Sequence, residues 1–216
     1  MFDMSDTDPL LEHGMRLALD QAHNAWLVGE VPVGAVILRE GQVLATGYNR
    51  PITTHAPPAH AEIVALRHAA TLVENYRLPD CEIYVTLEPC AMCAMALLHA
   101  RFKRVVFGAY DPKSGAAGSV VNLFGEAQLN HQTAIVGGVM ADACGGLLRQ
   151  FFAERRAQQR AQQLAQRAGS SDQAIDHTTS GVAELHSHGI DAIPAGEATE
   201  ISGDAAGHTP STPHAP

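Results

Sequence analysis

One imidazole and two thiols, His60, Cys90 and Cys93, offer three metal donors, and the carboxylate of Glu62 stands two residues from the imidazole. A catalytic zinc commonly takes three protein ligands and keeps a fourth position for water. In such a site Glu62 handles the water's protons, first as general base and then as general acid. Each piece alone has other readings. A lone Cys-x-x-Cys also serves as a redox pair or as half of a structural zinc site, and a lone His-x-Glu means little. A structural zinc usually has four protein ligands, often as two paired clusters. The sequence holds no second Cys-x-x-Cys and no His-x-x-x-His, so the full pattern favours a catalytic zinc. Cys81 and Cys144 stand alone in apolar surroundings and read as small core residues.

The two segments make a site only if the fold joins them. Pro57-Pro58 ends what precedes, and residues 60–72 then read as a helix with Ile63, Leu66 and Ala70 on one face. Residues i and i+2 of a helix point to different sides. His60 and Glu62 therefore share a site only if His60 lies in the first, irregular turn. Residues 81–87 read as a strand, and Pro89 suits the first position of the helix that follows, to residue 100. Cys90 and Cys93 then fall in its opening turns, three apart on one face. The partial positive charge of a helix N-terminus favours their thiolates.

The remaining elements follow from periodicity. Residues 9–27 carry Leu11, Met15, Leu19, Ala22 and Trp26 at helical spacing. Residues 33–38 and 43–48 flank a Gly-containing turn and predict a hairpin, after which Asn49 reads as a turn residue. Residues 104–109 predict a further strand, 111–119 a solvated loop, 132–139 a last strand and 141–160 a terminal helix. Strands linked by helices point to parallel pairing, with the site at strand C-terminal ends.

Composition bounds the function. With 46% hydrophobic residues the chain can build a sizeable core, and no apolar run reaches the roughly 20 residues that cross a bilayer. The acidic start, MFDMSDTDP, lacks the basic and apolar regions of a signal peptide. Four cysteines, two of them committed to a metal, argue for a reducing cytoplasm. The net charge of −9 is awkward for a nucleic-acid enzyme, because phosphate contacts need Lys and Arg. Residues 157–216 carry two basic against seven acidic residues, net −5, which leaves −4 on the body. The positive charges of the body cluster at Arg101, Lys103 and Arg104 and at Arg149, Arg155 and Arg156. Charge alone favours a small-molecule substrate. Gly, Ser, Thr, Pro, Ala and His dominate residues 169–216, which predicts a disordered tail holding five irregularly spaced histidines. The expected organisation is an extension over 1–8, a domain over 9–168 and that tail.

His60-Ala61-Glu62 followed by Pro89-Cys90-Ala91-Met92-Cys93 matches the H-x-E…P-C-x-x-C signature of zinc-dependent nucleoside and nucleobase deaminases. The chain resembles the bacterial tRNA adenosine deaminases within the cytidine and deoxycytidylate deaminase superfamily. That likeness rests also on VPVGAV at 31–36, NRP at 49–51, HAEIVALR at 60–67, NYRL at 75–78, YVTLEPCAMC at 84–93 and RVVFGAYDPKSGAAGS at 104–119. It runs from about residue 10 to about residue 156 and is highly specific.

The resemblance implies a three-layer α/β/α cytidine-deaminase-like fold, an α/β class with a central five-stranded mixed sheet flanked by helices. It implies one zinc per subunit and hydrolysis of adenosine to inosine at the wobble, first anticodon position of tRNA. A loop base is already partly unstacked and can be turned into a pocket. By the same resemblance, Asn49 hydrogen-bonds the target nucleoside, groups near Ala61 orient the base, and Asp111 and Lys113 contact substrate. Arg155 and Arg156, with Phe151 and Phe152, either reach the RNA or pack and solvate the last helix, packing being expected more of Phe152. A homodimer with active sites near the interface is implied too. Two other functions compete: a deaminase of a free base or nucleoside of the guanine or cytosine type, and a zinc-stabilised RNA-binding subunit without catalysis. Glu62 weighs against the latter, since a purely structural site has no use for that carboxylate.

Overall fold

The structure is a computed structural model that describes residues 8–179, with side chains described as far as Arg167. Helix α1, Pro9–Leu27, starts on Pro9, whose missing N–H costs nothing at that position, and the Asp8 side chain accepts from the Leu10 N–H at 3.0 Å. Strands β1, Gly34–Arg39, and β2, Gln42–Tyr48, form the expected hairpin. Its two-residue turn places Glu40 and Gly41 at φ 51° and 76°, the handedness that matches strand twist. A short helix unforeseen in the sequence, α2 at Pro51–Thr54, precedes α3, Ala61–Leu72. Then come β3, Cys81–Leu87, α4, Ala91–Ala100, β4, Arg104–Ala109, β5, Ala134–Val136, and α5, Ala141–Thr179.

The sheet order is β2-β1-β3-β4-β5. β1 runs antiparallel to both neighbours, and β3, β4 and β5 are parallel, so the five-stranded sheet is mixed as expected. Its central strands are apolar on both faces because helices cover both. Ala35, Ile37, Ile83, Val85, Val105 and Phe107 pack against Ala61, Ala65, Ala69, Ala94 and Leu97 of α3 and α4. Val36, Leu38, Tyr84 and Val106 face the other way, onto Met15 and Ala18 of α1 and Cys144 of α5. The result is three layers, with both predicted core cysteines buried.

Two sequence expectations fail at the C-terminal side. β5 is three residues long, not the eight of 132–139. Gly137 and Gly138 end it: a Cβ on Gly137 would lie 2.4 Å from the Phe107 ring, and Gly138 has φ 86°. Helix α5 runs past residue 160 to Thr179, and so includes residues 169–179, for which no fixed structure was expected. Ala and Gln favour helix, and no proline interrupts the run. The rest of the predicted disordered tail, 180–216, lies outside the described residues, as does most of the 1–8 extension. Contacts divide the chain after Arg167, and the unit ending there holds the sheet and the site. No helix of the described residues is long and apolar enough to cross a membrane.

Gly47 of β2 sets where α3 sits. A Cβ there would lie 2.4 Å from the Ala61 carbonyl oxygen and 2.5 Å from the Ala65 nitrogen, both backbone atoms that cannot step aside. Gly47→Ala is therefore expected to push the first turn of α3 off the sheet and destabilise the protein by roughly 1–3 kcal/mol. Chemical denaturation measures the loss. A parallel fall in zinc content would show that the displaced turn is the one carrying His60.

Candidate active site

The N-cap residue of α3 is His60, and that of α4 is Cys90. Both have extended backbones, with ψ of 155° and 170°, and neither side chain caps its own helix. Each is thus turned out of its helix, which places His60 in the irregular first turn that sharing a site with Glu62 requires. α4 starts at Ala91, two residues later than a helix with Pro89 at its first position. Pro89 and Cys90 are instead held extended: the Pro89 carbonyl accepts from the Ala116 N–H at 2.8 Å, and Cys90 bridges to Gly115.

His60 Nδ1 lies 3.7 Å from Cys90 Sγ and 3.6 Å from Cys93 Sγ, and the three donor atoms all fall within 4.8 Å of one another. Zinc bonds of about 2.3 Å to sulfur and about 2.0 Å to nitrogen, set tetrahedrally, separate ligand atoms by roughly 3.5–3.8 Å. The trio fits zinc in spacing and in donor chemistry. Residues 30 and 33 positions apart in sequence meet here because β2 and β3 both run antiparallel to β1, which brings the two helix N-termini beyond them to one end of the sheet.

The donors compete for protons. Hydrogen bonds from Cys93 and His60 pull the Cys90 thiol down to about 4, while the same Cys90 contact, followed by burial, pushes Cys93 up. His60 is raised, chiefly by its hydrogen bond with Cys90. Cys90 is thus ready as a thiolate, and a metal entering the trio displaces the protons held by His60 and Cys93.

Glu62 is 4% exposed, and burial pushes its carboxyl up to about 7. It feels the Cys90 and Cys93 sulfurs and the His60 ring but stands outside the donor trio. A carboxyl near neutrality that does not ligate can both take and give a proton.

Asn49 Oδ1 accepts from the Ala61 N–H at 2.9 Å, so this residue fixes the start of α3. The Ala61 N–H is thereby spent, and the part of the Asn49 amide left to donate is its NH₂. Asp111 and Lys113 lie in a groove of about 760 Å³ beside the end of β3, lined also by Tyr110, Arg149, Phe152 and Arg156. Asp111 accepts from the Lys113 N–H at 2.9 Å and the Ser114 hydroxyl at 2.6 Å. Burial opposes its charge, but these bonds hold it below the usual carboxylate range.

The two arginines part company. Arg156 lines the groove, whereas Arg155 Nη2 donates to the Gly29 carbonyl at 2.6 Å and its guanidinium lies over the Phe151 ring. The aromatic pair is reversed from expectation. Phe151 is buried edge-on against Trp26, and Phe152 is the exposed one. Helical phase decides this, since neighbours point about 100° apart.

Glu88 carries no role that its place in the sequence assigns. It is 2% exposed, and its carboxylate accepts from the N–H groups of Asp111, Ala117 and Ser119 and from the Ser119 hydroxyl. An acidic residue between an apolar strand and Pro89 is the signal that could have singled it out.

Fold and trio together define a zinc-dependent deaminase. Residues 9–109 match the cytidine and deoxycytidylate deaminase zinc-binding region. The chain is 46% identical over 149 residues to the tRNA-specific adenosine deaminase of Haemophilus influenzae, covering 68% of this chain and 86% of that one. It is 42% identical over 145 residues to that of Bacillus subtilis, covering 67% and 90%. A solved structure from studies of A-to-I editing at the wobble position of transfer RNA superimposes with a TM-score of 0.61 at 40% identity, over 63% of this chain and 99% of that one. The chain belongs to the tRNA-specific adenosine deaminase family.

Proposed function

We propose that this protein hydrolyses adenosine to inosine at the first anticodon position of tRNA, with Glu62 as the proton carrier and His60, Cys90 and Cys93 as the zinc ligands. The observation that carries the chemistry is the non-ligating, buried Glu62 beside a three-donor trio. When bound, the ion supplies the Lewis acidity that makes water nucleophilic near neutral pH. Glu62 takes the water's proton as the water oxygen bonds to C6 of the base. It passes that proton to the ring nitrogen, then moves the second one from the new C6 hydroxyl to the amine; the C6–N bond breaks, ammonia leaves and C6 keeps a carbonyl. The Asn49 NH₂ orients the base, and because Asn49 also holds the Ala61 N–H, base and general base share one frame.

An RNA substrate is supported by the groove, where exposed Tyr110 and Phe152 offer stacking faces beside Lys113, Arg149 and Arg156. A second basic cluster, Arg77 and Arg101 with His99 and His131, lines a pocket of about 210 Å³ whose wall, among the described residues, contains no carboxylate. Local charge thus departs from the net −9. A homodimer working in the cytoplasm completes the proposal: Leu72, Tyr76 and Met92 on or beside α3 and α4 stay exposed, and four free cysteines suit a reducing compartment. Light scattering should return twice the 22.9 kDa chain mass.

The deciding experiment supplies the zinc-loaded protein with an anticodon stem-loop bearing adenosine at the first position, and with free adenosine, guanine and cytosine. Inosine in the RNA with no ammonia from the free compounds is expected; the converse identifies a free-base enzyme. Arg149→Ala with Arg156→Ala should weaken stem-loop binding and flatten the slope of log K against log salt by about 0.7 for each phosphate no longer neutralised. An unchanged slope removes this groove from the RNA path.

A further inference from the structure

The carboxylate of Glu88 is a buried charge whose hydrogen-bond partners all belong to one loop. Its Oε2 accepts from the Asp111 N–H at 3.0 Å and from the Ser119 hydroxyl; its Oε1 accepts from the Ala117 N–H at 2.9 Å and the Ser119 N–H at 3.1 Å. Four donors converge on two oxygens, which fills the hydrogen-bonding capacity of an ionised carboxylate. The loop wraps it closely. A Cβ on Gly115 would lie 2.4 Å from the carboxylate, so that position has room for glycine alone. Residues 111–119 contain no helix or strand of their own, only isolated bridges, yet they carry Asp111 and Lys113 into the groove wall.

We infer that Glu88 is a positioning residue for the substrate groove: its all-acceptor carboxylate clamps the 111–119 loop so that the wall carrying Asp111 and Lys113 is formed before substrate arrives. A loop without regular structure must otherwise be ordered at the moment of binding, and that cost appears in affinity. An amide cannot replace the carboxylate. Glutamine would turn an NH₂ towards two donors, leaving buried N–H groups unmatched. The same end of β3 leads through Pro89 to Cys90, so clamp and metal end are adjacent, but the clamp's bonds run to the loop and not to the trio.

The clamp rests, for its substrate, on the RNA reading above; its effect on the loop does not. In the zinc-loaded full chain, Glu88→Gln should raise amide hydrogen exchange across 111–119 by about tenfold or more while zinc stays at one per chain. KM for the stem-loop should rise about tenfold, with kcat changed by less than about threefold. Ser119→Ala removes one of the four donors from an exposed residue and leaves the carboxylate in place. It should move exchange and KM the same way by about threefold, and it carries the test if Glu88→Gln does not fold. Loop exchange and KM unchanged in Ser119→Ala, or a fall in kcat that tracks zinc depletion in Glu88→Gln, would overturn the clamp. If the wild type deaminates no stem-loop, the RNA reading falls, while the exchange measurement still decides whether Glu88 holds the loop.

Discussion

Glu62→Gln is expected to give a folded, zinc-loaded protein whose turnover is lower by about 10²–10⁴-fold, the usual weight of a general acid–base. Glutamine keeps the volume of a side chain that is 4% exposed and leaves the core around Ala61 and Ala65 undisturbed. It removes only the capacity to carry a proton. Because Glu62 stands outside the three-donor trio, metal content should not change. Elemental analysis alongside single-turnover kinetics on the stem-loop separates the two effects. Undiminished turnover in a zinc-replete variant would refute the assigned role, and zinc depletion would make Glu62 a ligand instead.

Cys93→Ala should abolish turnover by a different route. Cys93 is fully buried, so the variant leaves His60 and Cys90 as a two-donor remnant at the junction of two helix starts. Two ligands do not make a closed zinc site. Zinc should fall well below one per chain, and stability should fall with it, because metal binding free energy is folding free energy where ligands come from separate segments. Cys90→Ala should behave alike. Full zinc occupancy in either variant would count against ligation there. A chelator applied to the wild type should reproduce the loss of activity, and added zinc should restore it.

The parts of the fold that are legible in the sequence are those where local chemistry and tertiary packing agree. The bounds of α1, β3 and β4 match their sequence patterns to the residue because each is bounded by a proline, a turn or a change of period. The site trio is legible for the same kind of reason: a histidine after Pro57-Pro58 and a Cys-x-x-Cys after a strand each place a ligand at a helix start, where the backbone is free to turn it outwards. β5 is shorter than its pattern because β-favouring residues flank it at Thr133 and Val139 while the ladder stops at Val136. β4 itself runs on to Ala109, so the ladder stops where Gly137 passes close against the Phe107 ring and Gly138 turns to positive φ, a fit set by the neighbouring strand.

Donor types, their spacing and the carboxylate proposed as proton carrier are properties of the chain taken residue by residue, so they can be read without coordinates. Which groups remain free to act is not such a property. Asn49 spends its oxygen on Ala61, Arg155 turns to Gly29 while Arg156 faces the groove, and Phe151 rather than Phe152 is buried. Glu88 became meaningful only when a loop 23 to 31 residues away closed around it. Hydrogen-bond capacity is finite and its partners are chosen across the fold, so the commitment of each polar group is decided in three dimensions.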